Sequence, residues 1–217
     1  KQRTLALFQL KKEIDVIPNF FEPKTVLRSR EDIRASLNIG DEPLAIHASN
    51  LRLIKRVDLL LEGFGATVTD HGGKLLILAG GDSSRILPDI ERRNLADRVI
   101  VVDDVYEVDD YYAASDFTVF SSEYESFCLS ILEGMRHGLP SVSFAVGGIP
   151  EVVEEGKTGF LVLFEDTEGL GQAIARLAQD SALRDRMGDA ARRRAIEAFS
   201  ADTVVESYLE AYRNVLA

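Results

Sequence analysis

The sequence is short of cysteine, of positive charge and of long apolar runs. Its 217 residues include one cysteine, Cys128, so no internal disulfide can form, which fits a reducing, cytoplasmic setting. Against 36 aspartates and glutamates stand 25 lysines and arginines, a formal net charge of −11. That balance disfavours general binding to nucleic acid or to an anionic membrane surface, and any anionic ligand must meet a local basic site. No apolar stretch approaches the roughly 18 residues of a membrane-spanning helix, and no secretory signal pattern opens the chain. Internal repeats and low-complexity segments are lacking too. The first residue is Lys1 rather than methionine, from which a piece of something longer is expected.

What is present suits a soluble globular fold. The hydrophobic fraction of 46% is ordinary, and a chain of this length can bury a substantial core. Short β-rich runs alternate with helical stretches. The runs are residues 14–17, 44–49, 74–80, 98–102, 116–120, 140–145 and 159–163, most of them continuously apolar, as in strands covered on both faces. Helical patterns fall at 57–69, 84–95, 106–114, 127–137 and 168–179, with a short one near 30–37. This alternation predicts an α/β fold, a Rossmann-like doubly wound parallel sheet with right-handed crossovers. Beyond about residue 165 the strands stop, and helices are expected over 181–198 and 201–216, the last with Val204, Val205, Tyr208, Leu209 and Tyr212 at helical spacing.

Ligands of such sheets sit at the carboxyl ends of the strands, which directs attention to the turns at 49–56, 80–86, 121–127 and 145–151. In the third of these, "SSEYESFCLSILEGM" sets Glu125 just before an expected helix start and Glu133 about two turns in. The backbone amides of Phe127, Cys128 and Leu129 would lie in the first turn, without intrahelical partners and favourable to an anion. If the intervening eight steps are helical, the two acids stand roughly 12 Å apart, comparable to a nucleotide-sugar: carboxylates for hydroxyls at each end, amide donors for the diphosphate between. An acid favouring the helix dipole plus a surface glutamate would explain the same spacing.

The turn "SNLRLIKRV" carries Arg52, Lys55 and Arg56, a candidate phosphate clamp in an acidic chain; solvated cations at a helix start are the alternative. In "AVGGIPEVV", Gly147 and Gly148 permit close backbone approach or positive φ and Pro150 can open a short helix, which suits a binding loop or a plain tight turn. "LAGGDSS" lacks the full dinucleotide fingerprint. Asp103/Asp104 and Asp109/Asp110 read as solvated charges, since nothing in sequence joins them to further metal ligands. His47, inside an apolar strand, reads as a satisfied core histidine; His71 and His137 read as surface or turn residues. Cys128, with no histidine or second cysteine nearby in sequence, reads as a small packing residue.

Taken together these residues resemble the C-terminal, donor-binding half of a retaining glycosyltransferase of the GT-B fold, in the large family 4 group. The family signature, Glu-x7-Glu with an internal Ser-Phe-Gly-Leu, is matched by Glu125, Ser126, Phe127, Leu129 and Glu133, and "GLPSV", "GGIPEVV" and "GKTGFLV" follow in the family's order. Within the family, "VIPNF" and "SNLRLIKRV" look most like the branch that joins N-acetylglucosamine to L-malate. The resemblance implies catalytic roles for Glu125 at the donor sugar and for Arg52 with Lys55 at the diphosphate. It implies donor-binding roles for Glu133 at the ribose, and for Ser126, Phe127, Cys128, Leu129, Gly147 and Gly148 around phosphate and sugar. A UDP-sugar is the expected substrate, with no metal and no other cofactor, because the leaving phosphate helps deprotonate the acceptor. One domain over 1–217 is expected, a Rossmann-like core at 14–165 and helices at 166–217, with the N-terminal acceptor domain missing. That absence would leave the last helix to self-associate and the chain inactive alone. Cys128 departs from the family's usual glycine, Asp103 stands where many relatives have glycine, and "GGDSS" replaces the common Gly-Asp-Gly-Pro. A non-catalytic Rossmann-like binding or scaffold module is the competing reading.

Overall fold

The structure, a computed structural model, describes residues 14–22 and 24–216. Six strands form one all-parallel sheet: β1 (Leu44–Ser49), β2 (Lys74–Ala79), β3 (Val99–Asp103), β4 (Phe117–Phe120), β5 (Ser141–Phe144) and β6 (Gly159–Val162), in the order β3-β2-β1-β4-β5-β6. This is the doubly wound order, and it reverses between β1 and β4. The crevice that such a reversal opens lies between the turns following those two strands. Those turns are the ones that carry Arg52 and Lys55, and Glu125 to Cys128.

Helices cover both faces of the sheet, and the continuously apolar strands are buried accordingly. On one side α2 (Val57–His71), α3 (Leu87–Arg92) and α7 (Thr167–Gln179) close over Leu75, Ile77, Phe117 and Phe144. On the other lie α1 (Arg30–Ser36), α4 (Val108–Ala114) and α5 (Leu129–Arg136), with Tyr112, Ile131, Leu132 and Met135 fully buried. After β5 the short α6 (Ile149–Val152) has Pro150 in its first turn. Two long helices follow α7: α8 (Ser181–Phe199) and α9 (Ala201–Leu216). Asp166 and Asp180 cap α7 and α8 through their carboxylates, accepting the amides of Gly169 and Leu183, both at 2.8 Å. Among the described residues no helix is long and apolar enough to cross a membrane.

Several expectations are corrected. Residues 14–17 form no strand; with β3 and β6 ending the sheet, they run beside α9, where Asp15, Val16 and Ile17 face Ser207, Glu210 and Ala211 across a small cavity. The helix expected from 84 is split: Pro88 sits in the first turn of α3, and a separate 3-10 turn, Ser83–Arg85, precedes it. Asp109 and Asp110 are buried rather than solvated. Asp110 accepts the Leu27 amide at 2.7 Å and pairs with Arg28, while Asp109 pairs with Arg136 and accepts from or pairs with His137 Nε2 at 2.8 Å. His137 is therefore largely enclosed, not a surface residue. The sequence pattern hid this because the partners lie far along the chain. Tyr208 in α9 is half-buried, whereas Val205, Leu209, Tyr212, Val215 and Leu216 leave an exposed apolar stripe.

Candidate donor-binding site

After β1 the chain makes one 3-10 turn, Leu53–Lys55, and enters α2 through Arg56, whose φ of 46° is left-handed. After β4 it runs through Ser121–Phe127 and enters α5 through Cys128. The two turns are laced together by backbone: Glu123 donates its amide to the Ile54 carbonyl at 2.8 Å, and the Ser121 hydroxyl reaches the carbonyls of Lys55 and Arg56 at 2.9 and 2.8 Å. Across this lacing Lys55 Nζ meets Glu125 Oε1 at 2.6 Å, and the Ser122 hydroxyl donates to the same oxygen at 2.8 Å. Both charged side chains are mostly enclosed, at 22% and 12% exposure, so the pair is screened less than a surface pair.

The three cations of the first turn part company. Arg56 is taken up by Asp58, with Glu165 and the ring of Phe164 also in reach. Arg52 is exposed, and its guanidinium has no partner among the described residues. A cavity of about 600 Å³ opens beside it, walled by Leu51, Leu53, Ile54, Val57, Arg85 and Ile86; of the clamp candidates it takes in Arg52 and Arg56 but not Lys55.

The helix start needs correction. α5 begins at Leu129, two residues later than expected, and Cys128 caps it with φ 71° and ψ 76°. The Phe127 amide therefore belongs to the preceding turn, and the first-turn amides are those of Leu129, Ser130 and Ile131, the last bonded to the Cys128 carbonyl at 3.1 Å. Glu133 lies about one turn in rather than two, and the stretch from Glu125 is not helical throughout. A left-handed backbone suits glycine, so Cys128 holds this conformation at a steric cost. Its thiol is buried and pushed up to about 12, mainly by desolvation and then by the Glu125 charge, so it is an uncharged packing group. Glu125, Lys55 and Glu133 all act electrostatically on it, which gathers the three around the start of α5.

Gly147 and Gly148 sit against the same turn. Gly148 donates its amide to the Glu125 carbonyl at 2.9 Å, and Gly147 has φ 54°. A Cβ on Gly147 would stand 2.8 Å from the Glu125 carbonyl carbon and closer to its oxygen; one on Gly148 would stand 2.9 Å from that of Ser126 and closer to its oxygen. The glycines let the β5 loop lie directly on the Glu125–Ser126 backbone. Ser126 is exposed at this junction and Phe127 is buried beneath it.

Glu133 is half-buried and its carboxyl is raised above the ordinary glutamate value by desolvation, opposed by the Lys24 charge and the Tyr112 hydroxyl. His47 is the satisfied core histidine expected: fully buried, Nδ1 on the Val119 carbonyl at 2.9 Å, Nε2 on the Ser49 hydroxyl at 2.8 Å. Burial lowers it to about 4, so the ring is uncharged near pH 7, and its one N–H is held by the Val119 carbonyl. Sequence reasoning passed over Ser121, Ser122 and Tyr112. The serines carried a signal, since hydroxyls at the carboxyl end of a buried strand have few roles other than fixing the turn.

The chain is a doubly wound α/β protein with an acid, a cation and a glycine loop meeting at its switch point. The model for glycosyl transferases group 1 matches residues 29–194, and the chain belongs to that family. N-acetyl-alpha-D-glucosaminyl L-malate synthase of Bacillus anthracis is 33% identical over 98% of this chain, which spans 57% of that protein. A TarM variant of S. aureus, solved with fondaparinux, alpha-GlcNAc-glycerol and UDP, superposes with TM-score 0.82 at 26% identity, over 96% of this chain and 41% of that one. Sucrose-phosphate synthase of Thermosynechococcus elongatus gives TM-score 0.84 at 28% identity, over 99% of this chain and 56% of that one. The chain thus spans about half the length of these relatives. The fold is that of GT-B glycosyltransferases.

Proposed function

We propose that this chain is the donor-binding half of a retaining glycosyltransferase and holds a UDP-sugar across the β1/β4 crevice. The observation that carries the reading is the 2.6 Å pair between Lys55 and Glu125, which joins the two turns flanking that crevice. Arg52 and Lys55 meet the diphosphate, with the first-turn amides of α5 beside them; Glu133 meets the ribose hydroxyls; Glu125 and the Gly147–Gly148 loop enclose the sugar. As the sugar–phosphate bond breaks, negative charge grows on the leaving diphosphate, and stabilising it is the main electrostatic task of this half. The leaving phosphate takes the acceptor proton, so the reading calls for no metal and no protein nucleophile. The Bacillus anthracis relative is named for a glucosaminyl group and L-malate, which makes that donor–acceptor pair the first to assay. Transfer requires the acceptor-side domain as well, so the chain alone is expected to bind and not to turn over.

Calorimetry with UDP and with uridine, each with and without a chelator, tests the reading. Arg52→Ala and Lys55→Ala should weaken UDP and spare uridine, whereas Glu133→Ala should weaken both; each lost charge-assisted bond is worth about 1.5–3 kcal/mol. Failure to bind millimolar UDP, or equal losses for both ligands on Arg52→Ala, overturns the assignment.

A further inference from the structure

Tyr112 is fully buried on α4, in a stretch where the sequence suggested no functional residue. Its hydroxyl has two acceptors, both on α5: the Ser130 carbonyl at 3.1 Å and Glu133 Oε2 at 3.4 Å. The ring is held in place. It lies nearly parallel to His137, with centroids 6.0 Å apart and planes 15° from each other, and Asp109 fixes that imidazole through Nε2. A buried hydroxyl costs free energy unless it is bonded, and phenylalanine would fill the same space without that cost. The single phenol proton is shared between a helix carbonyl and the carboxylate, and of these two the carboxylate is the mobile side chain that the bond can hold. Oε1 of Glu133 accepts no hydrogen bond among the described residues, so the group is held by one oxygen and free at the other.

We propose that Tyr112 is a positioning residue for Glu133, fixing the carboxylate through Oε2 so that Oε1 is offered to the ribose hydroxyls of the donor. This rests on the donor-site reading above. Desolvation keeps the phenol proton in place far beyond neutral pH, so Tyr112 remains a donor throughout the working range. Two groups act on the carboxylate besides burial: Tyr112 from α4 and Lys24 from the segment before α1, both favouring its ionised form.

Tyr112→Phe keeps the ring and its stack and removes the bond. In this chain the variant should bind uridine and UDP about three- to tenfold more weakly, the effect of one ordinary hydrogen bond, because the lost bond is long and acts on the ligand only through the carboxylate, with the melting temperature within about 3 °C of the parent. In a Glu133→Ala background the same change should have no further effect. A carbon-detected NMR titration of the Glu133 carboxyl gives a reading that needs no nucleotide: Tyr112→Phe should move its midpoint upward, because the lost bond favoured the ionised form. Unchanged uridine affinity, an equal loss in the Glu133→Ala background, or an unmoved midpoint each overturns the positioning role. If the parent chain binds neither ligand, the donor-site reading fails, and the titration still decides whether Tyr112 sets the carboxylate.

Discussion

Three glycines separate two effects that are usually mixed. Gly156 has φ 70° with nothing within 4 Å of a built Cβ, so Gly156→Ala introduces backbone strain alone. Gly148 has an ordinary φ of −90° and its Cβ would overlap the Ser126 carbonyl, so Gly148→Ala introduces contact alone. Gly147 combines φ 54° with overlap on the Glu125 carbonyl. Left-handed strain costs an alanine about 1–2 kcal/mol, and forcing atoms into a packed contact costs about 1–3 kcal/mol. The neighbour is main chain rather than a flexible side chain, so the loops must separate, and the 2.9 Å bond from the Gly148 amide to Glu125 is lengthened or lost. Gly147→Ala should therefore cost roughly 2–5 kcal/mol by the sum of those two ranges. At about 2–4 °C per kcal/mol for a chain of this size, its melting temperature should fall well below that of Gly156→Ala. Urea unfolding supplies the free energies. If Gly147→Ala proves no costlier than Gly156→Ala, the β5 loop is not seated on Glu125, and the site as built here is wrong.

Cys128→Gly relieves left-handed strain while giving up a small buried side chain, so its stability should stay within about 1 kcal/mol of the parent, whereas the β-branched Cys128→Val should cost clearly more; equal losses in a denaturant series would show that the backbone is not strained there. The exposed stripe on α9 should drive concentration-dependent association, and Leu209→Ser, at 43% exposure, should reduce it more than the half-buried Tyr208→Ser; sedimentation that is independent of concentration for the parent chain would refute this.

The sheet was readable because continuously apolar runs separated by helical periods have few other solutions, and the five connections between its six strands follow from that alternation. The run at 14–17 misled for the same reason: apolar β-branched residues look alike whether they pair with a strand or lie beside a helix. Glu125, Lys55 and the glycine pair could be read as candidates from position at strand ends. Their mutual geometry could not, because it depends on which strands become neighbours, and only the reversal between β1 and β4 brings residues 55 and 125 together. The late start of α5 was hidden because Cys128 carries no sign of a left-handed φ, where glycine would have announced one. Asp109 reads as a solvated charge and His137 as a surface or turn residue because their buried network, completed by Arg136, joins residues distant in sequence, each ordinary alone.

The pairing at the crevice also ranks the two cations. A diphosphate that recruits Lys55 must draw it away from Glu125, or share it, so the gain from that contact is net of a 2.6 Å ion pair already made in a mostly enclosed setting. Arg52 is exposed and without a partner among the described residues, so its contact with a diphosphate replaces water alone. Among the described residues, removing Lys55 leaves the Glu125 carboxylate with only the Ser122 hydroxyl, an uncompensated charge beside the ligand's own negative charge. The two deletions thus differ in kind. Arg52→Ala subtracts an attraction, while Lys55→Ala subtracts an attraction and exposes a repulsion. The double variant Lys55→Ala/Glu125→Gln removes the repulsive part, and it should recover some of the UDP affinity that Lys55→Ala loses. Calorimetry that shows no recovery would mean that Glu125 does not face the phosphates, and that the Lys55–Glu125 pair serves only to hold the two turns together.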